Sequence, residues 1–466
     1  MTSSTARPAV ARPAVARPAA ARPSTARSTA ALAALLLVAT APAALAADTP
    51  EPVRTTAAVE TAAVHDDEAG GNADADDPAV WVDPENPGRS LVVATLKEAG
   101  LDVHGLDGRR LQHIDAPPAP GEGSEAGRFN NVDIVYGFEL NGRPTDLALV
   151  SDRGRDRLRA YAIDPAAVAA GRPPLTDVTA DGAGPVFAKD EAEVDEQRTA
   201  YGLAAYSDDG DAYAVLSQRQ ETRLKLLKLK DVDGRIGYAT EDAVDLPGSF
   251  TLPDGKPWTP CADPGERAQV EGMAVDQEER ILYAAQEDVG LWRIDLDDAE
   301  FDTPDLVDRV REYGVPWTYD TEKEECVLDT ANDPGHGGTH LSADAEGVTV
   351  YHAADGKGYV LASSQGDDTF AVYGRGQRTP YLGAFAVSDG PATDGVQHSD
   401  GAMVLNVPLG RTFPKGVLVT HDGEATPADG EREGTNFKFV RWDGIAAAFP
   451  EPLTVDTESF DPHATD

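Results

Sequence analysis

One pattern recurs six times along this chain and limits what it can fold into. Each copy has an acidic or polar residue, a short strand, a gap, a second strand, a polar loop and a third strand. The copies open at "DDPAVWVD" (76–83), "NNVDIVYGFEL" (from 130), "YGLAAYS" (from 201), "EGMAVD" (from 271), "EGVTVYH" (from 346) and "DGAMVLN" (from 400). Alternating and β-branched residues dominate these segments, as strands require. Helical periodicity is scarce outside the N-terminal region. Sheets of about four strands, repeating at a period of roughly 55–75 residues, predict an all-β fold, a six-bladed β-propeller. A two-sheet sandwich is the alternative, but its strands would not repeat in units this large.

The repeat has a geometric consequence. The first two strands of each copy are antiparallel neighbours, so the start of the first and the end of the second share one end of the sheet. The starts carry Asp76 and Asp77, Asn130 to Asp133, Tyr201, Glu271, Asp344 with Glu346, and Asp394 with Asp400. The ends carry Lys97, Arg153, Arg219, Glu287, Gln365 and Asp422. In a propeller all of these crowd one face around the central channel. Carboxylates packed together cannot all stay ionised without a counter-charge. A hard cation such as calcium, taking several oxygen ligands in flexible geometry, meets that need. The arginines and the lysine suit an anionic substrate, with Arg forks matched to phosphate oxygens. Metal, Arg and Lys together suit phosphoryl chemistry. The plainer reading is that an acidic chain leaves solvated carboxylates at many strand ends.

The chain is strongly acidic, with a formal net charge of −41. Residues 1–29 are an Ala-Arg-Pro-rich run with five arginines and no acid, followed by the apolar run "AALAALLLVA" and then "APAALA". That is the layout of a secretory signal peptide ending at Ala46, and the apolar run is too short to span a bilayer. Without it the chain is more negative still, a surface that repels nucleic acid and anionic membranes. Cys261 and Cys326 suit one disulfide in an exported protein, with a thiolate pair as the alternative. The expected organisation is a signal peptide over 1–46, an acidic flexible linker over 47–72, the propeller over 73–450 and a C-terminal tail over 451–466.

Several competing motifs fail. "CADPGER" (261–267) has the Cys-x5-Arg spacing of a cysteine-phosphatase loop, but acids and a proline occupy it. His336 and His340 have the spacing of a helical zinc pair, but Gly337 and Gly338 argue against a helix. "DVDGRIG" (231–237) reads as an Asp-Gly turn and lacks the closing Glu of an EF-hand loop. Trp81, Trp292 and Trp442 read as packing residues.

The segments "DDPAVWVDP", "FNNVDIVY", "AYGLAAY", "VEGMAVD", "DAEGVTVYHAADGKGYVLASSQGDD" and "VSDGPATDGVQHSDG", in this order, resemble the β-propeller phytases of bacteria over residues 74–445. The resemblance implies calcium-dependent hydrolysis of myo-inositol hexakisphosphate, presented as its calcium complex, by direct attack of a calcium-bound water. By motif, Lys97, Arg153 and Tyr201 would hold the scissile phosphate. Glu271, Glu287, Asp344 and Glu346 would hold the active-site calcium ions. Arg219 and Gln365 would line the substrate site. Asp77, Gln365, Asp394, Asp400 and Asp422 would fall near calcium ions, some of them structural. The chain departs from the family pattern at Glu98, where a second lysine is usual, at Arg219, where lysine is common, and at Ala425, where an amide is common. The segments around Cys261 and Cys326 look like insertions tied by the disulfide. The expected protein is a secreted, extracellular, monomeric phytase with no nucleic-acid or membrane partner. Two alternatives remain: a calcium-dependent lactonase-type hydrolase, though a neutral lactone needs no cationic clamp, and a non-catalytic calcium-binding propeller.

Overall fold

The inner strands of the repeats are buried along nearly their whole length, as in "EGVTVYH", where Glu346 to Tyr351 are all inaccessible. A strand flanked by neighbouring sheets on both faces selects a continuous β-branched and apolar run. The computed structural model describes residues 51–464 apart from 209, 324 and 431. The signal peptide expected over 1–46 lies outside the described residues.

Six antiparallel blades follow in chain order, five of them four-stranded; in blade 4 the outer position is shared by Glu300–Phe301 and Asp305–Arg309. Their innermost strands are Pro78–Trp81, Phe129–Leu140, Ala200–Asp208, Val270–Asp276, Ala345–Ala353 and Ala402–Leu405. Each contacts the innermost strand of the next blade, and the sixth contacts the first, so the ring is closed. Apolar clusters fill the space between blades; Trp81, Trp292 and Trp442 lie buried in them, as expected.

From residue 51 on, the stretch expected as a flexible linker over 47–72 is structured instead. Val53–Glu60 is a strand, antiparallel to Gly434–Arg441 (Ala57 opposite Val440) and parallel to Tyr381–Ser388 (Val53 opposite Phe385). It is the outermost strand of blade 6 and joins that blade to blade 5. Only Ala57 along it is fully buried, which is why the composition resembles a solvated linker. Its polar backbone groups are satisfied by the two flanking strands.

The tail over residues 451–464 is also packed against the blades. After the helix Trp442–Ala448, Trp442 Nε1 donates to the Thr454 carbonyl at 2.9 Å. His463 Nε2 lies 2.9 Å from the Val82 carbonyl, and the Phe460 ring stacks on His352. Blade 4 is flanked by two arms, Phe250–Thr251 with Pro257–Trp258 and Trp317–Asp320 with Glu325–Leu328. The disulfide Cys261–Cys326 joins the segments that carry them. Among the described residues no helix is long and apolar enough to cross a membrane.

Candidate active site

Four inner strands begin with a β-bulge. Pairing slips between Phe129 and Val132, Ala200 and Leu203, Val270 and Met273, and Ala345 and Val348. A bulge places two residues opposite one and re-aims a side chain. The bulged pairs are Asn130-Asn131, Tyr201-Gly202, Glu271-Gly272 and Glu346-Gly347, and blades 1 and 6 supply Asp76-Asp77 and Asp400-Gly401. The glycines permit close approach between blades. A Cβ on Gly202 would sit 2.1 Å from the Glu271 carbonyl oxygen, and one on Gly272 2.3 Å from that of Glu346. The residue before each position therefore forms the ring: Asp76, Asn130, Tyr201, Glu271, Glu346 and Asp400, one per blade.

In that register Asp77 turns toward the next blade. Its Oδ2 accepts from Val132 N–H at 2.9 Å, a bond to the next blade. Asp133 does the same one blade on, accepting from Ala205 N–H at 2.7 Å. Asp77 thus latches blades together and is in neither carboxylate cluster described below. Asp76, which the sequence reading placed at the strand start without a role, is fully buried, and neither carboxylate oxygen has a hydrogen-bond partner.

A second tier comes from the ends of the second strands. Arg153, Arg219, Glu287 and Gln365 donate their backbone N–H groups to the carbonyls of Arg128, Thr199, Gln269 and Asp344, at 2.8, 2.8, 3.1 and 2.9 Å. These bonds seat each side chain above the ring. Glu271 anchors the lower tier: Tyr201 O–H donates to its Oε2 at 2.5 Å and Asn130 Nδ2 to its Oε1 at 2.7 Å.

Two groups of carboxylates converge. Glu271, Glu287 and Glu346, all buried, bring ligand oxygens within 4.8 Å of one another, and so do Glu287, Asp288 and Asp344. Glu287 belongs to both. Burial, followed by the charges of Glu271 and Glu287, pushes the Glu346 carboxyl well above its usual range, and its Oε2 has no partner. Asp76 is likewise raised, by burial first and by Glu271 and Asp400. Buried carboxylate oxygens without donors, gathered on hard oxygen ligands, fit a divalent cation of the calcium type.

Cations border the cluster. Lys97 Nζ lies 2.9 Å from Asp74 and 3.4 Å from Asp400. Burial disfavours its charge, but Asp74, Asp76 and Asp400 outweigh that and hold the ammonium well above its usual value. Gln365 Nε2 donates to Asp400 Oδ1 at 2.6 Å. The Arg153 guanidinium lies over the Tyr201 ring, 5.4 Å from its centroid. Burial, then the positive Arg128 and Arg219, push it down to about 9. Its Nε has no partner, so the site holds a buried cation short of an anion.

The predicted residues therefore divide. Lys97, Arg153, Tyr201, Arg219, Glu271, Glu287, Asp344, Glu346, Gln365 and Asp400 gather at one mouth of the channel. Asp394 and Asp422 form a separate cluster. They meet Lys438, fully buried, whose Nζ contacts Asp394, Glu60 at 2.7 Å and Asp422 at 3.1 Å. This cluster thus contains a cation of its own. His340 is bound by Asp308 at 2.8 Å and stacks on Tyr381, away from any zinc-like group. Cys261 lies in the disulfide, which removes the thiolate that a cysteine-phosphatase loop requires.

The comparisons with known proteins bear on this geometry. The family model described as Phytase matches residues 24–220 and 311–465. The chain belongs to the phytase family. The 3-phytase of Bacillus subtilis (strain 168) is 33% identical over 382 residues, covering 81% of this chain and 82% of that protein. Solved structures with similar folds include the β-propeller domain of Cps50 (Swd1) from Myceliophteria thermophila, 12% identical over 78% of this chain and 83% of that one, TM-score 0.35. Another is a protein from Lactobacillus plantarum, 13% identical over 70% and 73%, TM-score 0.37. This phytase is thus a phosphoric monoester hydrolase of the 3-phytase type. The stretch outside the family match, 221–310, includes Glu271 and Glu287, so their place in the site rests on the ring geometry. Sequence reading missed Asp288, which lies beside Glu287, and left Asp76 and Asn130 without roles. Aligning the repeats on the Gly that follows Tyr201, Glu271, Glu346 and Asp400 identifies the last two.

Proposed function

We propose that this phytase is a secreted, calcium-dependent enzyme whose Glu271, Glu287, Glu346, Asp288 and Asp344 hold the metal and whose Lys97, Arg153 and Tyr201 hold the scissile phosphate of phytate. The observation that carries this reading is the buried trio Glu271, Glu287 and Glu346 set against two buried cations. Calcium, when bound there, supplies charge neutralisation and Lewis-acid activation of water. The remaining roles fall to the chain. Arg153 gains the anion that its buried guanidinium lacks, and its fork matches phosphate oxygens. Lys97, kept charged by Asp74, Asp76 and Asp400, contributes a second positive contact. Tyr201, through its bond to Glu271, fixes that carboxylate's orientation. Arg219 and Gln365 line the same mouth. Secretion is supported by the signal-peptide layout of residues 1–46 and by the disulfide, a bond suited to oxidising compartments.

The test is phosphate release from phytate by the purified protein with added calcium and with excess chelator. Release that stops with chelator and returns on adding calcium supports the reading. Equal release in both would overturn the calcium dependence while leaving the enzyme class intact.

A further inference from the structure

Four of the six ring positions are carboxylates; blades 2 and 3 supply neutral groups, Asn130 and Tyr201. Asn130 is wholly inaccessible, and both ends of its amide are engaged. Its Oδ1 accepts from Arg153 Nη1 at 3.2 Å. Its Nδ2 donates to Glu271 Oε1 at 2.7 Å and to Asn131 Oδ1 at 2.9 Å. These partners fix which way the amide faces, because a guanidinium only donates and a carboxylate only accepts. The backbone beneath is fixed as well. Thr95 Oγ1 donates to the Asn130 carbonyl at 2.5 Å, and Asn131 N–H donates to Ser151 Oγ at 2.9 Å. One rigid amide thus spans the gap between a carboxylate of the metal cluster and the guanidinium over Tyr201. The two cations of the site differ in this respect. Lys97 is paired with Asp74 and Asp400, whereas Arg153 leans on a neutral oxygen and its Nε has no partner.

We propose that Asn130 is a positioning residue that aims Arg153 and Glu271 at one centre while leaving the charge of Arg153 free for a phosphate. The inference rests on the reading of Arg153 as part of the phosphate clamp and of Glu271 as a metal ligand. The amide suits the place because it is neutral. An aspartate of nearly the same size would also accept from Arg153, but as a charge-assisted pair. It would cancel the charge that the phosphate needs and set another carboxylate against Glu271. At its other end the amide holds one oxygen of Glu271, as Tyr201 holds the second. Support of that kind fixes the orientation of a metal-binding carboxylate. Because one side chain serves both groups, disturbing it disturbs metal and phosphate binding together, although it is a ligand of neither.

The experiment compares wild type, Asn130→Asp and Asn130→Leu, each checked for folding by its melting curve. Inorganic phosphate titrated into the full chain in excess chelator reads the cationic clamp alone. Calcium titrated without phosphate reads the carboxylates alone, and phytate kinetics at saturating calcium read both. Asn130→Asp should weaken phosphate binding about tenfold, the scale of a lost charged hydrogen bond, and should raise KM for phytate. Asn130→Leu, which makes neither bond, should raise the calcium concentration at half-saturation about tenfold, the usual cost of losing a metal ligand's support, and should lower kcat. Asn130→Ala loses the same bonds without apolar bulk and serves if the Leu variant melts early. A merely structural role would lower melting and leave both titrations of the folded protein unchanged. Unchanged phosphate binding in Asn130→Asp overturns the proposal, and so does unchanged calcium binding in both apolar variants. If instead Arg153→Gln binds phosphate as wild type does, the clamp reading itself fails and takes this proposal with it.

Discussion

Successive residues of a strand point to opposite sides, and at the start of blade 1 this separates two adjacent carboxylates. Asp76 faces the channel with neither oxygen hydrogen-bonded, while Asp77 accepts Val132 N–H from the next blade. Asp76→Asn should lower phytate turnover at least tenfold with little change in melting, because it removes a buried carboxylate that has no hydrogen-bond donor and only a 4.0 Å ion pair to Lys97. Asp77→Ala should cost about 1–3 kcal/mol, the penalty of leaving a buried N–H unmade, and should spare turnover below the melting range. Paired turnover and urea-unfolding measurements separate the two; the reverse pattern would return Asp77 to the metal site. The sequence showed an acidic pair at a strand mouth but not which member faced inward, because alternation alone does not say which of two neighbours points to the channel. The recurrent Gly after Tyr201, Glu271, Glu346 and Asp400 was the missing register mark.

At the level of elements, ring closure depends on a strand far in sequence from the blade it completes. Val53–Glu60 sits beside Gly434–Arg441, and the buried Lys438 ties Glu60 of that strand to Asp394 and Asp422. The blade cores were legible because period-two runs such as "GVTVY" need no distant partner to declare themselves. The closing strand was not, since it exposes most of its side chains and its acids suggest a linker. Lys438 was passed over because it lies inside an apolar-looking strand, "NFKFVRW". Lys438→Met should destabilise the protein by about 3–5 kcal/mol, as expected when one partner of a buried ion cluster is removed. The vacated carboxylates should then take a divalent ion, so calcium should raise the variant's melting temperature more than the wild type's. Melting of the variant at the wild-type temperature, with calcium and without, would show that Lys438 is not the clasp.

Over the whole molecule, the two ends of the channel have different tasks. The ring and the cations gather where the inner strands begin. Where they end, Phe460, Pro462 and Ala464 of the tail line the channel with Val275, Val350 and Leu405. The tail is held there by ring contacts of Phe460 with His352 and of His463 with Tyr136, and by bonds between Asp456 and the Tyr351 hydroxyl at 2.7 and 3.0 Å. It bridges blades 5, 1 and 2, so it strengthens a ring whose blades otherwise contact only their neighbours. Truncation after Pro450 should lower the melting temperature by several degrees, because these contacts and their buried apolar surface are lost. Phytate hydrolysis well below that temperature should persist, since the tail's described contacts are with blade residues such as Val82, Tyr136, Tyr351 and His352 and not with ring residues. Comparing melting curves with turnover at low temperature decides the point. If the truncated protein melts normally, the strap adds no stability. If it is cold-inactive although folded, the closed end of the channel is needed to hold the ring in register, and the two mouths are not independent.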